Sequence, residues 1–300
     1  MSGFRIACAQ YPIEPMASLD AWQEKIGRWV GEAVQGGAAL LVFPEYGSME
    51  IAASAPATMG DLHASLRTVM DAGEAMDAHH AALAATHQVH ILGASRPVAL
   101  DDGRIVNRAR LFAPNGRSGY QDKIVMTRFE REQWGISGGD HLRVFHTALG
   151  VIGVSICYDV EFPLIARAQA EAGARLILTP SCTDSMQGYW RVRIGAQARA
   201  LENQIHVAQA PTVGMAPWSP AVDENYGLAA LYGPPVLNTP DDGVLSLGEE
   251  GASGWTYGAV DCAKVDQWRE AGAVRPFAHW PEQYLGAPPS LPAVEVIDLA

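Results

Sequence analysis

VIGVSICYDVEFP, residues 151–163, is the stretch that decides the fold. Its first seven residues form a largely apolar, β-prone run of the kind that makes a buried strand. The run ends at Cys157, and after Tyr158-Asp159 the segment Glu161-Phe162-Pro163 opens a helical pattern. The thiol is therefore expected in a sharp strand-to-helix turn at the carboxyl end of a strand, where ligands bind in α/β sheets. A helix N-terminus there is expected to lower the thiol pKa and leave it partly thiolate. Taken alone, a cysteine in a strand reads as a small buried hydrophobe, so its surroundings have to decide.

Two other reactive side chains stand in the same kind of place. Glu45 ends LLVFPE (40–45), with a rigid proline directly after the apolar run, and Lys123 ends GYQDK (119–123). Each alone is read as readily as an ordinary solvated charge. Brought together with Cys157 they supply the three needs of acyl transfer: a base, a cation to hold an oxyanion, and a nucleophile.

FPE, then DK, then CYDVEFP, in this order and at these separations, resemble the nitrilase superfamily of carbon–nitrogen hydrolases. The opening strand RIACAQYPI (5–13) and the segments RAQAEAGARLILTPSC (167–182) and RVRIGAQARALENQ (191–204) are similar to that family too, so the resemblance runs from Phe4 to about Asp261. It implies an α/β fold, a four-layer αββα sandwich of two mixed β-sheets. It also implies Glu45 as base, Lys123 as oxyanion partner and Cys157 as nucleophile, with a second glutamate shortly after the lysine to orient substrate and water. In KIVMTRFEREQWGISGGD (123–140), Glu130 fits the usual spacing from Lys123, whereas Glu132 fits if the loop is aligned from Gly139-Asp140. The plainer alternative, a solvated charged turn, must hold for some of Arg128, Glu130, Arg131 and Glu132.

CYD rather than CWE after the nucleophile is similar to the amidase branches. The expected reaction is hydrolysis of a small-molecule amide to acid and ammonia through a thioester, with N-carbamoyl compounds and nitriles as alternatives. A catalytically silent scaffold or binding protein would be marked by a missing triad residue, and none is missing. No metal or organic cofactor is implied. The family commonly forms dimers, so a homodimer or larger even-numbered assembly is expected. Residues 1–274 read as one hydrolase domain and the Pro-rich 275–300 as an extension lying across a neighbouring subunit, with a composition unsuited to a regular helix.

Composition fits a small-molecule enzyme. The 300 residues are 48% hydrophobic, enough for a sizeable core, and Gly and Pro are spread along the chain rather than gathered in a linker. A net charge of −12 without a basic stripe opposes nucleic-acid binding. No apolar run approaches a membrane span, and no charged leader with an apolar core opens the sequence. Cys8, Cys157, Cys182 and Cys262 are widely spaced without CxxC pairs, which points to a reducing compartment, the cytoplasm, and to no structural zinc.

The periodicities predict strands at 4–10, 39–43 and 89–94, and helices near 18–35 and 61–87. A hairpin is expected over 104–121 turning at Asn115-Gly116, and another around 148–150. Beyond it come helix 162–172, strand 175–180, helix 188–203, and strands at 205–211, 227–231 and 254–260. Cys182 also closes an apolar strand, and local pattern hardly separates it from Cys157; the resemblance puts it on the loop lining the pocket. Gly135-Ile136-Ser137-Gly138-Gly139 fits G-x-S-x-G but lacks the strand before and the helix after, and reads as a flexible loop closing over the site. Trp134, Tyr158, Tyr189 and Trp190 complete the candidate substrate-binding set, although Tyr189, Trp190, Ile194 and Leu201 read equally as one packed helix face.

Overall fold

A computed structural model describes residues 3–300. The strands are β1 (Phe4–Pro12), β2 (Leu40–Val42), β3 (His90–Leu92), β4 (Arg96–Ala99), β5 (Ile105–Phe112), β6 (Ser118–Asp122), β7 (Ile136–Ser137), β8 (Leu142–Thr147), β9 (Gly150–Val154), β10 (Leu176–Ser181), β11 (His206–Met215), β12 (Glu224–Asn225), β13 (Ala230–Tyr232), β14 (Val244–Leu247), β15 (Gly254–Val260) and β16 (Val294–Asp298). The helices are α1 (Leu19–Gln35), α2 (Leu62–His87), α3 (Pro163–Glu171), α4 (Met186–Asn203), α5 (Cys262–Ala271) and α6 (Pro276–His279). Ser18, Asp61 and Ser185 cap α1, α2 and α4 by accepting hydrogen bonds from the first-turn N–H groups of Ala21, Ala64 and Gly188.

The fold is mixed α/β. One half of the sheet runs β15-β1-β2-β3-β5, with β4 beside β3 on one edge of β5 and β6 and β7 on the other. The other half runs β16-β8-β9-β10-β11-β13-β14. Among the described residues the strand pairing that joins them is Tyr11↔Thr212 and Pro12↔Val213, a two-residue parallel pairing of β1 with β11.

Alternation along the strands explains how the halves pack. Ile6 and Cys8 of β1, Leu40 and Val42 of β2 and Leu111 of β5 share a core with Phe145, Ile152, Leu178 and Val207 of the other half. Their sequence neighbours Ala7, Ala9 and Leu41 point the opposite way, into a second core with Trp22, Ile26 and Val30 of α1 and Leu66, Val69 and Met76 of α2. Strands covered on both faces lose the polar-outward alternation, which is why β2 reads as a continuous apolar run. Burying one such leucine is worth about 2 kcal/mol. Val192, Ala196 and Ala200 of α4 complete the first core from its own side.

Two expectations are corrected. The glycine-rich 135–139 segment is not a loose flap: Ile136-Ser137 pairs with Ile105-Val106, and the N–H of Gly139 donates to the Lys123 carbonyl at 2.8 Å. The carboxyl-terminal stretch does make a helix, the single turn α6 with Pro276 in its first position. Its last strand, β16, lies parallel to β8 of its own chain, where Arg143 pairs with Glu295 at 2.9 Å and Arg117 with Asp298 at 3.0 Å. No helix among the described residues is long and apolar enough to cross a membrane.

Candidate active site

Three strand ends converge. Glu45 follows β2, Lys123 follows β6, and Cys157 lies just beyond β9, all three almost wholly buried. Lys123 Nζ donates to Glu45 Oε1 at 2.8 Å and to Glu130 Oε2 at 2.7 Å. Glu130 sits in a short wide turn, Glu130–Trp134, and Tyr46 OH donates to its other oxygen at 2.9 Å. The N–H and hydroxyl of Thr127 also donate to Glu130 Oε2, each at 2.9 Å. Glu132 instead faces solvent with Arg128 at 2.8 Å, so the cluster takes in Glu130 and leaves Glu132 outside.

Cys157 is the first residue of a one-turn 3-10 segment, Cys157–Glu161, and holds φ at +48°. That left-handed backbone costs a non-glycine residue about 1–2 kcal/mol, strain of the kind that collects at functional sites. Tyr46, directly after Glu45, is left-handed as well, at φ +54°. The side chain of Asp159 fastens the cysteine turn to the lysine loop by accepting from Ile124 N, from Val125 N at 2.8 Å and from Ile156 N at 3.3 Å. Cys157 Sγ donates to the Cys182 carbonyl at 3.6 Å, and Cys182 Sγ donates to Asn225 Oδ1 at 3.3 Å.

Electrostatics separate the two carboxylates. Burial pushes both up and Lys123 pulls both down, but Glu130 also accepts from Thr127 and Tyr46 and ends below its ordinary value. Glu45 has fewer donors, feels the Glu130 charge, and stays above its ordinary value. Burial opposes the ammonium of Lys123, yet the two carboxylates outweigh it and hold the lysine protonated. Burial, then the neighbouring Glu45, push the Cys157 thiol well above its usual range. The expected lowering by a helix N-terminus is therefore overturned: the turn is one 3-10 turn long and offers little dipole against desolvation. The same burial pushes Cys182 up to about 12 and Asp159 up to about 7.

A carbon-nitrogen hydrolase family profile matches residues 5–270. The chain belongs to the carbon-nitrogen hydrolase family. Among relatives of this chain, "Probable hydrolase YhcX" of Bacillus subtilis (strain 168) is 34% identical over 271 residues, 90% of this chain and 52% of that protein, so the chain spans about half the relative's length. "Omega-amidase NIT2" of Xenopus tropicalis is 25% identical over 264 residues, covering 83% of this chain and 86% of that one. The crystal structure of a carbon-nitrogen hydrolase from Helicobacter pylori G27 superimposes with a TM-score of 0.72 at 19% identity, over 95% of this chain and 96% of that one, a likeness of fold.

The candidate substrate-binding residues divide. Trp134 packs edge-on against Tyr46 with ring centroids 4.9 Å apart, and Cys182 lies beside the thiol. The Tyr158 ring turns to Phe162, at 4.9 Å, so only its backbone borders the nucleophile by sequence. Tyr189 is buried and accepts from Arg193 Nη1 at 3.0 Å, while Trp190 is 46% exposed under the Arg193 guanidinium. No hydrogen bond or ring contact joins either to the Cys157 cluster, and the one packed face expected of α4 is split: Tyr189 inward, Trp190, Ile194 and Leu201 outward. Arg199 and Glu202 of that helix do meet, at 3.2 Å.

Sequence reasoning missed Asn107, Tyr46, Thr127 and Asp159 as parts of this cluster. For Asn107 a signal existed: in IVNRARLF it shares its strand face with the buried Ala109 and Leu111, while Arg108 and Arg110 take the other. Tyr46 and Thr127 carried none, because nothing local distinguishes them from loop residues.

Proposed function

We propose that this hydrolase cleaves a small-molecule amide to acid and ammonia through a thioester on Cys157. The observation that carries the reading is Lys123 shared between Glu45 and Glu130 beside a neutral thiol. A neutral thiol needs a base at the moment of attack, and the carboxylate held less tightly, Glu45, suits that task better than Glu130. As Cys157 Sγ bonds to the amide carbon, its proton passes to Glu45, and the oxyanion is held by Lys123 and the Tyr158 N–H. The proton then moves to the amide nitrogen, the C–N bond breaks and ammonia leaves. Water gives a proton to Glu45 and attacks the thioester, oriented by Glu130, and the acid departs as the thiol is restored.

The omega-amidase relatives and the CYD turn favour an amide. Paired amides, nitriles and N-carbamoyl compounds, assayed for ammonia, test the choice. Turnover of nitriles with none of amides sinks it, a preference for carbamoyl compounds replaces the substrate class, and no turnover with an unreactive Cys157 thiol favours a silent binding protein. The shared core of the two sheet halves supports reading them as the inner layers of an αββα sandwich. The apolar residues on the outside of α4, Trp190, Ile194 and Leu201, support a homodimer joined across that helix, and the four free cysteines support the cytoplasm as its place.

A further inference from the structure

Asn107 has no part in the reaction as written, yet its side chain and backbone touch two of its participants. Asn107 Nδ2 donates to Glu45 Oε1 at 2.9 Å, the same oxygen that Lys123 takes. Its carbonyl accepts from the Lys123 N–H at 2.9 Å, so one residue of β5 sets where the lysine leaves the sheet and which way the glutamate lies. Asn107 is fully buried, and its Oδ1 has no hydrogen-bond partner. An orphaned buried carbonyl is destabilising, and a residue chosen for stability alone would be expected to avoid it. The amide is turned so that the donor meets Glu45 and the acceptor goes without.

We infer that Asn107 is a positioning residue that divides the two oxygens of Glu45: it and Lys123 fix Oε1, leaving Oε2 to take the Cys157 proton. Asn107 and Lys123 both donate to Oε1, no N–H or O–H donor among the described residues meets Oε2, and the Cys157 thiol is close enough to hydrogen-bond to this carboxyl. The inference rests on Glu45 being the base. Without the Asn107 donor the carboxyl would rotate about its last bond and share both oxygens with Lys123, so proton transfer would begin from a poorer geometry. The ionised carboxyl would also lose one of its two donors, which moves its titration to higher pH.

The test compares wild type with Asn107→Leu and Asn107→Asp. It reads kcat and KM for the best amide, the pH profile of kcat/KM, and the number of Cys157 thiols per chain that react with iodoacetamide. For a folded, stoichiometrically alkylated Asn107→Leu the expected result is a loss of about a hundred-fold in kcat at little-changed KM, with the acid limb moved to higher pH. Asn107→Asp, nearly isosteric, brings a third carboxyl and should move that limb upward as well. It carries the test alone if the leucine variant fails to fold. A purely structural role predicts a lower Tm and fewer reactive thiols with the limb unmoved; that outcome, or a kcat within about two-fold of wild type, overturns the inference. Glu45→Gln serves as a separate control: if it keeps full activity, the base reading itself has failed.

Discussion

Burial raises both Cys157 and Glu45 above their ordinary values, the glutamate against the opposing pull of Lys123. On the proposed mechanism Glu45 must be ionised to receive the thiol proton, so kcat/KM should fall with decreasing pH through a limb above the ordinary carboxylate range. A limb at or below pH about 4 would put the base elsewhere. Cys157→Ala should abolish turnover in a folded protein and Cys182→Ala should reduce it far less; intact mass locates the trapped acyl group, and an adduct on Cys182 would reverse the two. Glu130→Gln loses a partner of Lys123 and should cost most of the activity, whereas Glu132→Gln changes an exposed pair and should leave stability within about 0.5 kcal/mol. The meeting of Glu45, Lys123 and Cys157 was legible because each closes an apolar or β-prone run. The partners that orient them were not, since Tyr46 and Thr127 sit in irregular backbone whose course depends on packing between distant segments.

Elements with a strong period were legible almost to the residue: α1 over Leu19–Gln35, α2 over Leu62–His87, and the hairpin of β5 and β6 turning at Gly116, where φ is +87°. Two-residue β7 and β12 have no period to read, and β14 alternates too briefly among glycines. The 3-10 segment Gly47–Ser54 also escaped, and it buries Glu50 completely. Glu50 accepts from Tyr11 OH and Glu14 N, each at 2.8 Å, and pairs with the buried Lys25, yet burial outweighs these partners and lifts its pKa from 4.5 to about 7. The folded chain therefore binds more protons than the unfolded one between those values. The associated stability is complete below pH about 4.5 and lost as pH rises through about 7, an effect on the order of 2–3 kcal/mol. Asp159, shifted in the same direction, adds to the fall. Urea midpoints for wild type should drop from pH 5 to pH 8, and Glu50→Gln, which cannot ionise, should drop less; equal slopes would remove Glu50 as a cause.

Across the whole molecule, the family resemblance in the sequence carried further than its local patterns did, because long-range pairings leave little local trace. Nothing in 294–298 alone says that it pairs with β8, nor in 11–12 that it bridges to 212–213. Removing residues 294–300 strips β8 of its parallel partner and should lower Tm. Ile194→Glu, on the outer face of α4 at 61% exposure, should leave Tm nearly unchanged but turn a dimer into a monomer in sedimentation. A wild-type chain that sediments as a monomer at working concentration ends the assembly proposal. The place of β1 has a kinetic consequence. β1 is the strand both halves require, yet its partners β11 and β15 come some two hundred residues later along the chain. Contacts so distant along the chain make folding slow, and until Val260 has been made the apolar strand FRIACAQYP stays without its full set of neighbours. A chain that has not yet reached β15 is thus open to aggregation, and fragments that stop short of it should be caught by chaperones rather than accumulate as smaller folded units.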